Sequence, residues 1–134
     1  MDNKKTSSWV RQARYRATKR NIYSDLQIAD VKTIIDEHKG ACAYCDKSKE
    51  CWGEKADTLD HPFPLSEATP NVPANILPIC KLTKTKKKNN DLAWLFSTGI
   101  INQDTYLTIL KLILQRRGGE IIKQHVKMIT GIQD

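Results

Sequence analysis

No apolar run in this chain approaches the roughly 20 residues that a membrane-spanning helix needs. The lysines near the start are not followed by a hydrophobic segment, so the opening residues do not read as a secretory signal. A reducing cytoplasm is therefore the expected setting, where cysteines bind metal or pack in a core more often than they pair. Internal repeats and low-complexity linkers are also missing. With 134 residues the chain has enough material for one modest core and not for two.

Acid is missing from two particular stretches. Residues 4–20 hold seven Lys or Arg and no Asp or Glu, and residues 81–88 hold five Lys and no acid. The net charge of +7 is thus carried by two patches; the other ten basic and fifteen acidic residues sum to −5. Segregated basic patches favour a nucleic-acid partner over a uniformly solvated surface.

All five prolines fall between 62 and 78, which excludes a long helix there. The expected fold class is α+β. A basic N-terminal helical arm occupies 1–40, with Trp9, Ala13 and Ala17 along one side, and a second helix follows over 29–38 before Gly40. Two short strands over 58–65 and 75–79 are joined by an irregular loop, and a helix starts near Cys80. Asp91 reads as the cap of a short helix ended by Gly99. A C-terminal helical hairpin over 91–134 carries Tyr106, Leu107, Leu110, Ile113 and Leu114 as one apolar stripe. After Gly118-Gly119, Ile122, His125, Val126 and Ile129 form the other.

Cys42-Ala43-Tyr44-Cys45 is a C-x2-C step, whose tight turn suits two thiolates on one tetrahedral Zn²⁺. Cys80 offers a third ligand. The position that would complete a second C-x2-C is Thr83, a poor zinc ligand, which leaves Cys51 as the candidate fourth.

With C-A-Y-C at 42–45, L-D-H-P at 59–62, A-N-I-L-P-I-C at 74–80 and Lys87 beyond, the chain resembles the HNH endonucleases, the ββα-metal nuclease family, in its small phage-type members. The resemblance covers 41–90 and implies a zinc-knuckle ββα core that hydrolyses DNA phosphodiesters. It implies that His61 is the general base for water, that Asp60 holds a divalent cation (Mg²⁺, Mn²⁺ or a transition ion), and that Asn75 braces the loop and orients the histidine. Imidazole suits the first role because its ordinary pKa lies near neutrality.

The third motif position is Lys84 where the family has His or Asn, and an ammonium has no lone pair for a metal. Three consequences stay open. The site could keep a metal on Asp60, water and substrate oxygens with Lys84 supplying part of the positive charge, an oxygen of Thr83, Thr85 or Asn89 could replace the ligand, or the fold could bind DNA without cutting it. Arg11, Arg14, Arg16, Arg20, Lys81, Lys86, Lys87 and Lys88 are the expected DNA contacts, to duplex DNA. One site per chain implies nicking, with a homodimer needed for a double-strand break. The alternatives are a catalytically degenerate DNA-binding protein and an accessory subunit of a larger DNA-processing complex.

Overall fold

The computed structural model describes residues 1–45 and 54–131; Cys51, the expected fourth zinc ligand, lies outside the described residues. Helix α1 (Asn3–Lys19) begins where the Asp2 side chain accepts a hydrogen bond from the Lys5 N–H, satisfying one of the free amides of its first turn. Thr6, Val10, Ala13 and Ala17 are buried along one face, and the small alanines let α1 lie close to its neighbours. Helix α2 (Ile28–Glu37) starts with a capping box between Gln27 and Asp30. His38 is its C-cap, and Gly40 takes a left-handed φ of +73° in the following turn.

Two three-residue strands form an antiparallel pair: β1 (Thr58–Asp60) lies against β2 (Leu77–Ile79), with Thr58 opposite Ile79 and Asp60 opposite Leu77. Both are shorter than the proline-bounded segments suggested, because β1 gives way to a loop at His61 and residues 73–75 form a 3₁₀ turn instead of strand. Helix α3 (Lys81–Lys87) follows β2 directly, and the Cys80 sulfur accepts from the Thr83 N–H at its start. Strand, loop, strand and helix thus follow one another as the α+β reading requires.

The small sheet lies between two apolar clusters. Val10, Leu26, Val31, Ile34, Leu59 and Ile76 join it to α1 and α2. The larger cluster joins β2 to helices α4 (Leu92–Ser97), α5 (Gln103–Gln115) and α6 (Gly119–Thr130), through Leu77, Ile79, Leu92, Leu95, Ile109 and Ile113 among others. Asp91 caps α4 by accepting from the Trp94 N–H at 2.9 Å, as its position suggested.

The hairpin buries the expected stripe in part: Ile113 and His125 are buried and Tyr106, Leu110 and Ile122 pack against the core. Ile109 and Ile113 face the core on α5, while Leu107 and Leu114 are 44% and 53% exposed. On α6, Ile121 and His125 are buried and Val126 is half exposed. The turn between the helices requires glycine at 118: a Cβ there would sit 2.8 Å from the Ile113 carbonyl oxygen and 2.9 Å from the Ala74 side chain. That close approach seats the hairpin against the 3₁₀ turn containing Asn75. Among the described residues no helix is long and apolar enough to cross a membrane.

Candidate active site

The loop leaving β1 is held open by Asn75. This buried side chain accepts from the Phe63 N–H at 3.1 Å and donates to the Phe63 carbonyl at 2.8 Å and the Pro70 carbonyl at 3.1 Å. The prolines between 62 and 78 deprive the loop of amide donors, so a buried primary amide supplies what a β ladder would have supplied.

The ring of His61 is oriented by Asn71, not by Asn75. Its Nε2 lies 2.9 Å from Asn71 Oδ1, and Asn71 Nδ2 donates to Ser24 Oγ at 2.9 Å. Because the Asn71 amide nitrogen is spent on Ser24, its oxygen is the acceptor. The hydrogen-bond network thus assigns the proton of neutral His61 to Nε2 and the lone pair to Nδ1. Trp9 of α1 packs its ring against the imidazole at a centroid distance of 5.2 Å. Burial pushes the His61 pKa down to about 4, against the opposing pull of the Asn71 hydrogen bond and the Asp60 charge. The imidazole is therefore neutral at pH 7, the form that can accept a proton.

Asp60 is 3% exposed and surrounded by donors. Its Oδ2 accepts from the Tyr44 hydroxyl at 2.7 Å and meets Lys87 Nζ at 3.1 Å. Its Oδ1 accepts from Lys87 Nζ at 3.3 Å and Lys84 Nζ at 3.4 Å. Lys84 Nζ also donates to the Leu59 carbonyl at 2.9 Å, and Lys87 Nζ to the His61 carbonyl at 3.1 Å. Lys87 is 1% exposed; burial lowers its pKa, and Asp60 opposes the shift. It is a buried partner of Asp60 and not the exposed phosphate contact expected from the lysine run.

Above these groups opens a cleft of about 240 Å³, lined by His61, Arg16, Arg20, Lys84 and Lys88 among others. Among the described residues, Asp60 is the single carboxylate of its lining. Arg11 lines a neighbouring groove with Trp9, Tyr15, Arg16 and Lys84, so the basic face of α1 continues into the cleft. Arg14 does not join them: its guanidinium donates to the Leu26 carbonyl and to Gln27, fastening α1 to the segment before α2. Lys81 and Lys86 are exposed on α3 and do not line the cleft.

The sulfurs of Cys42, Cys45 and Cys80 lie within 4.8 Å of one another, and three such groups could hold a metal ion such as zinc. Cys45 and Cys80 are 3.6 Å apart, close to the roughly 3.8 Å that two 2.3 Å zinc–sulfur bonds give at a tetrahedral angle. Thr83 Oγ1 lies 3.3 Å from Cys80 Sγ and 3.8 Å from Cys45 Sγ. Cys42 and Cys80 are free thiols, whereas Cys45 is disulfide-bonded, so a three-sulfur site requires Cys45 in reduced form. Burial pushes the Cys42 thiol up to about 11, so a nearby cation is what would favour its thiolate.

The catalytic divalent cation implied by the family resemblance does not fit Asp60 in the same way. A carboxylate has about four lone-pair directions, and the two oxygens already make four contacts with three donor groups, those of Tyr44, Lys84 and Lys87. A cation there would have to displace a donor and would meet two ammonium groups within the same shell.

Tyr44 and Asn71 are the site residues that sequence reasoning did not assign, and Lys87 is one that it assigned to DNA contact instead of to Asp60. Tyr44 is a spacer inside C-x2-C, Asn71 is a loop residue between two prolines, and Lys87 is one of five similar lysines. Only the asparagine carried a hint, as a polar residue confined among prolines. No family model, curated protein or solved structure matches the chain.

Proposed function

We propose that the chain is a DNA endonuclease that hydrolyses one phosphodiester per site, with His61 as the general base. The observation that carries this is the neutral His61 imidazole, oriented through Nε2 by Asn71, in a cleft shared with Arg16, Arg20, Lys84 and Lys88. The cations favour a phosphate group in the cleft, and Nδ1 is the lone pair available to a water beside it.

The step is a direct displacement. His61 Nδ1 takes a proton from water, the water oxygen forms a bond to phosphorus, and the bond from phosphorus to the leaving sugar oxygen breaks. That oxygen takes a proton from solvent, and the imidazolium returns one. Arg16 and Arg20 come from the exposed face of α1, so the helix also fixes the course of the backbone over the cleft. Asn75 is a positioning residue: it maintains the loop on which His61 sits. Zinc at Cys42, Cys45 and Cys80 would tie the turn before β1 to the start of α3, holding Asp60 and Lys84 in register. With one such cleft among the described residues, a monomer would nick.

The test is an end-labelled duplex oligonucleotide incubated with the parent chain and with His61→Ala. The expected result is fragments from the parent, none from His61→Ala, and equal salt-sensitive binding by both. Tight binding by both with no fragments from either would identify a protein that holds DNA on this fold without cutting it.

A further inference from the structure

Resting on the endonuclease reading, we infer that the Lys84 and Lys87 ammonium groups take the place of the divalent cation, so that this site cleaves without an added metal ion. Three observations support the inference.

The first is saturation. The only carboxylate lining the cleft among the described residues already accepts from Tyr44, Lys84 and Lys87, so both its oxygens are engaged before a metal arrives.

The second is charge. Asp60, Lys84 and Lys87 sum to +1, the same charge as one carboxylate carrying one divalent cation. A divalent ion added to the cluster would raise it to +3 before substrate arrives, against repulsion that is strong at short range in a partly buried site.

The third is the division of labour between the two lysines. Lys87 also borders the cleft but is 1% exposed, and its Nζ is engaged by Asp60 and the His61 carbonyl, so it chiefly neutralises and positions. The Lys84 side chain is 39% exposed and lines the cleft. Its Nζ has three donors, two of which are used on Leu59 and Asp60. The third is available to a non-bridging phosphate oxygen, which makes Lys84 a catalytic residue. An ammonium fixed beforehand by a backbone carbonyl and a carboxylate stabilises developing charge with little reorganisation. Proton bookkeeping is unchanged: water loses its proton to His61, the phosphorus–oxygen bond to the leaving group breaks, and Lys84 remains an ammonium throughout.

The experiment uses the full chain with its zinc content measured, dialysed into metal-stripped buffer. Duplex cleavage is followed with and without added Mg²⁺ or Mn²⁺, for the parent, Lys84→Arg and Lys84→Asn. The expected result is parent cleavage that changes by less than about threefold on adding either ion. Lys84→Asn is expected to fall about 100-fold without metal, in the range seen when one charge-stabilising donor is lost. Lys84→Arg, which keeps the charge, is expected to lose less. Gain of Mg²⁺ or Mn²⁺ stimulation by Lys84→Asn, with none in the parent, would be the signature of a cation site opened beside Asp60. Parent cleavage that appears only with an added ion overturns this inference and leaves the endonuclease standing. Cleavage by no protein under any condition overturns both.

Discussion

Replacing Lys87 by methionine removes a charge while keeping much of the side-chain length, and the structure sets the expected cost. Lys87 is 1% exposed and Asp60 3% exposed, with Nζ 3.1 Å from Oδ2 and 3.3 Å from Oδ1. In Lys87→Met the carboxylate keeps the Tyr44 hydroxyl and the half-exposed Lys84, but its closest buried counter-charge is gone. Removing one partner of a buried pair costs about 3–5 kcal/mol, because the other charge stays desolvated. Asp60→Asn leaves the Lys87 ammonium buried and is expected to cost a similar amount. The double variant should recover most of the loss, since a buried pair contributes little beyond a neutral replacement of similar shape. The assay is equilibrium urea unfolding followed by tryptophan fluorescence on all four proteins of the cycle. A coupling energy of about 3 kcal/mol is expected. Single variants that each cost under about 1 kcal/mol, or that add within about 0.5 kcal/mol, would refute a buried ion pair at this position.

Three further outcomes follow from the same geometry. His61 has a folded pKa near 4, below its unfolded value of about 6.5, so the stability tied to its neutral form is complete above pH 6.5. That stability is lost as pH falls toward 4, by about 3 kcal/mol over the window; unfolding curves from pH 7 to pH 4 should show this excess loss in the parent and not in His61→Gln. On the proposed function, the four cations of the cleft wall other than buried Lys87, namely Arg16, Arg20, Lys84 and Lys88, would each meet a phosphate, which predicts that log K for duplex DNA falls with log salt at a slope of about −3.6. Arg16→Ala should make that slope shallower by about 1, and an unchanged slope in filter-binding titrations would remove Arg16 from the interface. Metal analysis of reduced protein should return about one zinc per chain, falling well below that in Cys80→Ser; equal zinc in both would exclude the three-sulfur site.

Much of the frame was legible in the sequence because short-range chemistry sets it. The C-x2-C step does bring Cys42 and Cys45 to Cys80, Asp60 does end a strand, and Asp91 does cap a helix. What escaped are contacts made across the chain. Tyr44 reaches Asp60 over sixteen residues and Lys87 reaches it over twenty-seven, and no local pattern distinguishes Lys87 from Lys86 or Lys88. Asn71 and Asn75 lie in the same proline-punctuated loop, and tertiary packing decides which amide meets the imidazole and which braces the backbone. The hairpin shows a different limit. Residues 106–114 are apolar at nearly every position, so helical spacing permits several faces, and the fit of Gly118 against Ala74 selects the one carrying Ile109 and Ile113. Arg14 was read by its charge, while its guanidinium is consumed by the Leu26 carbonyl.

The most direct measurement is conversion of supercoiled plasmid to nicked circle by the parent, His61→Ala and Asn71→Ala, purified identically. Nicking by the parent is expected, with none above background by His61→Ala and a reduced rate for Asn71→Ala, whose imidazole has lost its orienting partner. Equal nicking by the parent and His61→Ala, or no nicking by the parent, would contradict a hydrolytic role for His61.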